Sequence, residues 1–336
     1  MPRPKPPILP LAALEPNQFA DCFALLAERK SATTGNGKPY YICRFRDAGR
    51  TATYMVWSDG PFFNDCEKVW REGACYKLRV LYTEHEKYGP QVEVQQIREA
   101  TDDDRADGFD PFQFVPKSRF DSDQMLAELR ALARIGIIDE PLRRLVLLIL
   151  DRHADKLRWL PGSRTKYYPV AGGWLEHTLN VTHSCLHLAD KYRAHFPDLS
   201  PPINRDLLLA GAMLHDVGRA AEFDSVTELH PTPSSELIGH LFLGRDIVRD
   251  AARDVPDLNP ELLQMLEHLI ISHLNLPAWG SPKLPLIPES LILFHADDLD
   301  AKMEMYVRCL THDVAAGPFT DRDPILGRPL FKGRTV

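Results

Sequence analysis

No Cys-x-x-Cys spacing occurs among the six cysteines of this 336-residue chain, no apolar run approaches a membrane span, and no internal repeat is visible. Each absence excludes a class. Cys22, Cys43, Cys66, Cys75, Cys185 and Cys309 read as reduced, mostly buried thiols, which argues against a zinc ribbon or a disulfide scaffold. The apolar stretch Leu145–Leu150 is far short of the roughly 18 residues that a bilayer-crossing helix needs, so no membrane partner is expected. Residues 1–10 are proline-rich and lack an apolar segment followed by a small-residue cleavage site, so a cytoplasmic protein is expected. Positive charge is also scarce: the formal net charge is −7. Residues 1–100 nevertheless carry 14 Lys/Arg against 12 Asp/Glu, and the remainder 26 against 35. The acidity therefore lies in the second part, and charge alone decides nothing about nucleic acid.

What is present falls into segments. Residues 1–16 read as a flexible, proline-rich tail and 17–100 as a β domain. Candidate strands are Phe23–Thr33, Pro39–Asp47, Thr51–Trp57, Cys75–Glu84 and Gln91–Ile97, separated by glycine-containing turns. A short helix over Asn64–Arg71 falls between the third and fourth strands, the order of an OB-fold barrel. Alternation in strand 2 sets Tyr41, Cys43 and Phe45 against Tyr40, Ile42, Arg44 and Arg46. If the second set faces outward, Tyr40, Arg44 and Arg46, with Tyr54 from strand 3, interleave rings and guanidinium groups as single-stranded nucleic acid requires. Ordinary barrel tyrosines and solubilising arginines are the plain alternative.

Residues 101–120 read as an acidic linker and 121–312 as an all-α domain, with 313–336 an irregular tail. Helical periodicity begins at Met125, Leu126, Leu129, Leu132 and Ile135, and again after Pro141. It continues over 174–195, 203–217, 234–253, 258–274 and 287–312. The adjacent pair His215-Asp216 ends an apolar run and is stopped by Gly218. Imidazole beside carboxylate suits a borderline-to-hard divalent metal. His177, His240, His268, His273, Asp297, Asp298 and Asp300 lie on other helices, as a metal site within a helical bundle demands. The candidates exceed one coordination sphere. His268 and His273 are five residues apart, about 500° of helical rotation, so they do not share a direction. His183 and His187 read as a polar helix face.

The order His177…His215-Asp216…Asp297 resembles the HD superfamily of metal-dependent phosphohydrolases. Gly172–Thr178, Leu237–His240, Ser272-His273 followed by Trp279–Pro282, and Asp297–Met303 together resemble the YhaM-type 3′–5′ exoribonucleases, which place an OB-fold domain before an HD domain. The resemblance implies a metal-dependent exonuclease acting on single-stranded RNA, with DNA a further substrate, that releases nucleoside 5′-monophosphates. It implies one metal held by His177, His215, Asp216 and Asp297, and a second by Asp216, His240 and His273, with Asp216 bridging and catalytic. Mn²⁺ is favoured, with Fe²⁺, Co²⁺, Zn²⁺ and Ni²⁺ as alternatives. Arg219 stands where relatives carry lysine and is expected to contact a substrate phosphate. Asp298, Asp300, His268 and Trp279 are expected to orient ligands or touch substrate.

Tyr167, Tyr168, Leu274 and Phe294 stand where such relatives often carry histidine. Two rival readings stay open: a small-nucleotide phosphodiesterase or nucleotidase of the same class, and a nucleic-acid-binding protein with a degenerate HD domain. A homo-oligomer is compatible with the chain.

Overall fold

The computed structural model describes residues 6–225 and 229–333, which form two compact units. The first is a closed five-stranded barrel with the strand order β1-β2-β3-β5-β4 of an OB fold, where β1 is Phe19–Thr33, β2 Pro39–Arg46, β3 Thr51–Trp57, β4 Cys75–His85 and β5 Gly89–Glu99. The helix α1 (Phe63–Lys68) lies between β3 and β4, where a short helix over Asn64–Arg71 is expected. Alternation decides what fills the barrel. Cys43 and Phe45 of β2 and Ala52 and Val56 of β3 are buried, while Arg44 and Trp57 are exposed.

Two segments expected to be irregular are part of this unit. The expected tail lies partly in residues 1–5, outside the described residues. From Pro6 onward it is anchored: Leu9 N donates to Asp21 O (2.9 Å), and Asp21 N to Pro7 O (2.9 Å). The turn at Leu11–Ala13 puts Leu11 and Leu14 in the barrel core, and the Arg50 Nη1 group donates to both their carbonyls. Prolines dominate the composition there, but two leucines that need burial decide the conformation. The expected linker is likewise folded through Phe114. Phe109 and Phe114 pack with Phe23, Leu25 and Cys75 in a second small apolar cluster.

The second unit is helical: α2 Ser122–Gly136, α3 Glu140–Arg152, α4 Ala154–Leu157, α5 Gly173–His195, α6 Arg205–Leu214, α7 Pro233–Ile238, α8 His240–Ala252, α9 Pro260–Ser272 and α10 Pro288–His312. Side-chain oxygens of Asp121, Asp139, Asn204, Thr232 and Asn259 accept first-turn amide protons and fix where α2, α3, α6, α7 and α9 begin. Every residue of α6 from Leu207 to Leu214 is buried, so it forms the centre of the bundle. The single helix expected over 234–253 is broken at Gly239, whose φ of 81° lies in the left-handed region. Among the described residues the segment after α10 is mostly irregular, with a bridge between Phe319 and Phe331. Among the described residues no helix is long and apolar enough to cross a membrane.

Candidate metal centre

Five helices, α5, α6, α8, α9 and α10, bring the candidate donors together. The helix α5 opens at Gly172 (φ 80°) and Gly173, where a Cβ would lie 2.2 Å from Tyr168 O. That tight start places His177 one turn into the helix, fully buried. His215 and Asp216 follow directly on the end of α6, and His273 on the end of α9. Both terminal histidines use the same local device. The Nδ1 of His215 lies 2.9 Å from Ala212 O and that of His273 2.7 Å from Ile270 O, a carbonyl three residues back that fixes the Nδ1–H tautomer and leaves Nε2 as the ligating atom.

Asp297 and Asp300, three residues apart on one face of α10, take opposite sides of the His177 ring. Asp297 Oδ1 is 3.0 Å from Nε2 and Asp300 Oδ2 is 2.7 Å from Nδ1. Asp300 therefore fixes the orientation of the His177 ring. His215 Nε2 lies 3.4 Å from His177 Nε2 and 3.8 Å from Asp297 Oδ1. On the other side, Asp216 Oδ1 faces His240 Nε2 at 3.4 Å and His273 Nε2 at 3.6 Å. The sets His177, His215, Asp297 and His215, Asp216, His273 are each close enough to hold one ion.

The electrostatics are those of a cation site. Burial pulls the His177 imidazole down, but hydrogen bonds to Asp297 and Asp300 hold it up at about 9. Burial takes His215 down to about 4 and His240 to about 3. Against the effect of burial, Arg219 and the surrounding histidines keep Asp216 ionised, well below the usual carboxylate range. The buried atoms Asp216 Oδ1 and His240 Nε2 have no hydrogen-bond partner. Two orphaned polar atoms facing each other, in a set of imidazoles and carboxylates, are what a divalent ion would satisfy. The residues fit the group.

Not every expected residue joins the cluster. His268 Nε2 accepts from Leu286 N (3.0 Å), so it fastens a loop. Asp298 pairs with Lys302 (2.7 Å), whose ammonium lies 5.5 Å from the Trp279 ring, so Asp298 and Trp279, expected to orient ligands or touch substrate, belong to one surface group. Arg219 is 8 % exposed, and its guanidinium is held by Asp216 Oδ2 (Nε, 2.7 Å), Glu222 Oε2 (Nη1, 2.9 Å) and Tyr167 OH (Nη2, 3.0 Å). The expectation that it reaches toward a phosphate gives way to an inward role, because Asp216 supplies a buried counter-charge three residues away. Two positioning residues went unrecognised in the sequence. Trp174 Nε1 donates to Asp216 O (2.9 Å), tying the start of α5 to the His-Asp pair. Tyr167 OH donates to Asp216 Oδ2 (3.1 Å), with its ring 4.9 Å from that of His177.

On the barrel, Tyr54 must be corrected. It pairs with Cys43 in register and so faces inward, against Phe62 and Trp70, where burial pushes its hydroxyl up to about 12. The outward partner of Tyr40 is instead Trp57, 47 % exposed, with ring centroids 5.0 Å apart. Arg44 lies on the same face and pairs with Glu28 (3.1 Å), and Arg46 follows two residues on.

Residues 174–302 match the family model of the HD domain, a span that runs from Trp174 through Lys302 and contains all six donor residues. The helical unit thus carries an HD domain, preceded by an OB-like barrel, and this implies a metal-dependent phosphohydrolase that binds divalent metal.

Proposed function

We propose that this protein is a 3′–5′ exonuclease that shortens single-stranded RNA, and DNA as a secondary substrate, to nucleoside 5′-monophosphates. The observation that carries the polymer over a small nucleotide is the ring pair of half-buried Tyr40 and exposed Trp57 on the same β2–β3 face of the barrel as Arg44, in a chain whose other unit carries an HD domain. Paired rings stack on bases without sequence readout, and a neighbouring guanidinium meets the backbone. A mononucleotide needs no such platform.

His177, His215 and Asp297 would hold one divalent ion, and Asp216 with His240 and His273 a second; mixed imidazole and carboxylate donors favour Mn²⁺ among the candidates. Such ions supply neutralisation of phosphoryl charge and a lowered pKa for water. The chain's own part is placement. His215 and His273 present Nε2 because their Nδ1–H groups are bound to backbone, and Asp300 fixes the His177 ring.

The test is 5′-end-labelled single-stranded RNA incubated with Mn²⁺, with and without chelator. A chelator-sensitive ladder descending one nucleotide at a time supports the reading. Intact RNA alongside hydrolysis of a small phosphodiester would make the protein a nucleotide phosphodiesterase. Binding of RNA with neither activity would make it a binding protein.

A further inference from the structure

Asp216 is unequal at its two ends. Oδ2 accepts from Arg219 Nε (2.7 Å) and from Tyr167 OH (3.1 Å), whereas Oδ1 has no hydrogen-bond partner and faces His240 and His273. Arg219 is itself locked by Glu222 and Tyr167, so the guanidinium cannot swing away without breaking three contacts. A buried carboxylate needs a counter-charge, and here the protein provides its own.

We propose that Arg219, positioned by Tyr167, is a built-in counter-ion of the metal centre: it keeps the site folded without metal, restricts Asp216 to delivering Oδ1, and weakens the hold on the ion. This rests on the reading of the cluster as a metal centre and adds to it that the ion held there is exchangeable. Two effects act in the same direction. The guanidinium draws charge from the carboxylate that must bind the metal, and its own positive charge repels the ion within a low-dielectric interior. Occupancy then follows the free concentration of metal, unlike a structural site whose fold depends on the ion.

The sign of the effect separates this from a merely structural role, because damage to the site weakens binding whereas loss of the counter-ion tightens it. Mn²⁺ binding to the full-length chain is measured by calorimetry, with the melting temperature recorded with and without Mn²⁺. Arg219→Met should melt lower without metal, regain most of the difference with Mn²⁺, and bind Mn²⁺ about tenfold or more tightly. Arg219→Lys keeps the charge and should stay near wild type. Tyr167→Phe removes a neutral donor from Oδ2 and one of the three contacts that hold the Arg219 guanidinium, and should tighten binding by roughly two- to fivefold, which preserves the test if Arg219→Met does not fold. Equal or weaker binding in the folded variants would overturn the counter-ion. Absence of Mn²⁺ binding by the wild-type chain would overturn the metal reading beneath it.

Discussion

The carboxylate of Asp216 points one oxygen at Arg219 and Tyr167 and the other at two histidines, so removing its charge acts on both sides at once. In Asp216→Asn the shape is kept while the anionic donor is lost. Mn²⁺ binding should weaken by at least about 100-fold, beyond the 10–100-fold usual for losing a partner behind a ligand. Calorimetry and metal content after dialysis check this, and full metal content in a folded variant would remove Asp216 from the site. His177, His215, Asp216, His240, His273 and Asp297 are picked out by their places in the motifs that resemble HD and YhaM-type proteins, because helical position alone leaves His268, Asp298 and Asp300 as candidates beside them. Tyr54 was misplaced although its signal was present: alternation from the buried Ala52 and Val56 puts Tyr54 inward and Trp57 outward. The inward turn of Arg219 was not legible, since Asp216 three residues back competes with any substrate for the same fork.

Elements meet at the centre through close backbone approach. At Gly218 a Cβ would lie 1.9 Å from His240 O and 2.6 Å from Gly244 N, so the turn after Asp216 seats directly on α8. Gly218→Ala should push α8 away, costing about 1–3 kcal/mol or more and removing His240 from its donors. Reduced melting temperature together with lost Mn²⁺ stoichiometry is expected; unchanged stoichiometry would show that α8 contributes no ligand. Gly239→Ala meets open space, but φ 81° with ψ 152° is backbone essentially reserved for glycine, so it should cost on the order of 1–3 kcal/mol. The break at Gly239 escaped the periodicity because a lone glycine inside a helical pattern reads through.

The segment after β5 offers an independent element-scale test. Asp104 accepts from Arg98 (2.6 and 2.7 Å), Thr101 N (3.0 Å) and Lys77 (3.2 Å). The Arg98 guanidinium first, then the Thr101 amide and Lys77, hold its carboxyl well below the usual range despite burial. A depressed folded-state pKa contributes stability above the unfolded value near 4 and loses it as pH falls. Asp104→Asn should therefore be less stable by about 2 kcal/mol at pH 7, moderated because Arg98 is half-exposed, with the gap to wild type closing toward about pH 2. Urea unfolding at the two pH values reads this. A gap that persists in acid would assign the loss to packing.

At the scale of the whole molecule, each unit has its own core, and the proposed division of labour is tethering by one and chemistry by the other. The β-then-α order was legible because the hydrophobic period switches from two to 3.6 after about residue 117. The folded state of Pro6–Leu14 and of Phe109–Phe114 was not, because a few apolar side chains outweigh a proline-rich or acidic composition. Tethering has a kinetic signature. A strand held on the barrel raises the local concentration of its end at the metal centre without altering the bond-breaking step. Base–aromatic stacking is worth about 1–3 kcal/mol per base, so Tyr40→Ala with Trp57→Ala should raise KM for RNA of about 30 nucleotides by roughly 10- to 100-fold or more while kcat holds. Hydrolysis of bis(p-nitrophenyl) phosphate by the same variant should be unchanged, since that substrate has no base for a platform to hold. Equal losses on both substrates would mean the paired rings serve folding or the reaction itself; no loss on either would leave the barrel without a part in RNA capture.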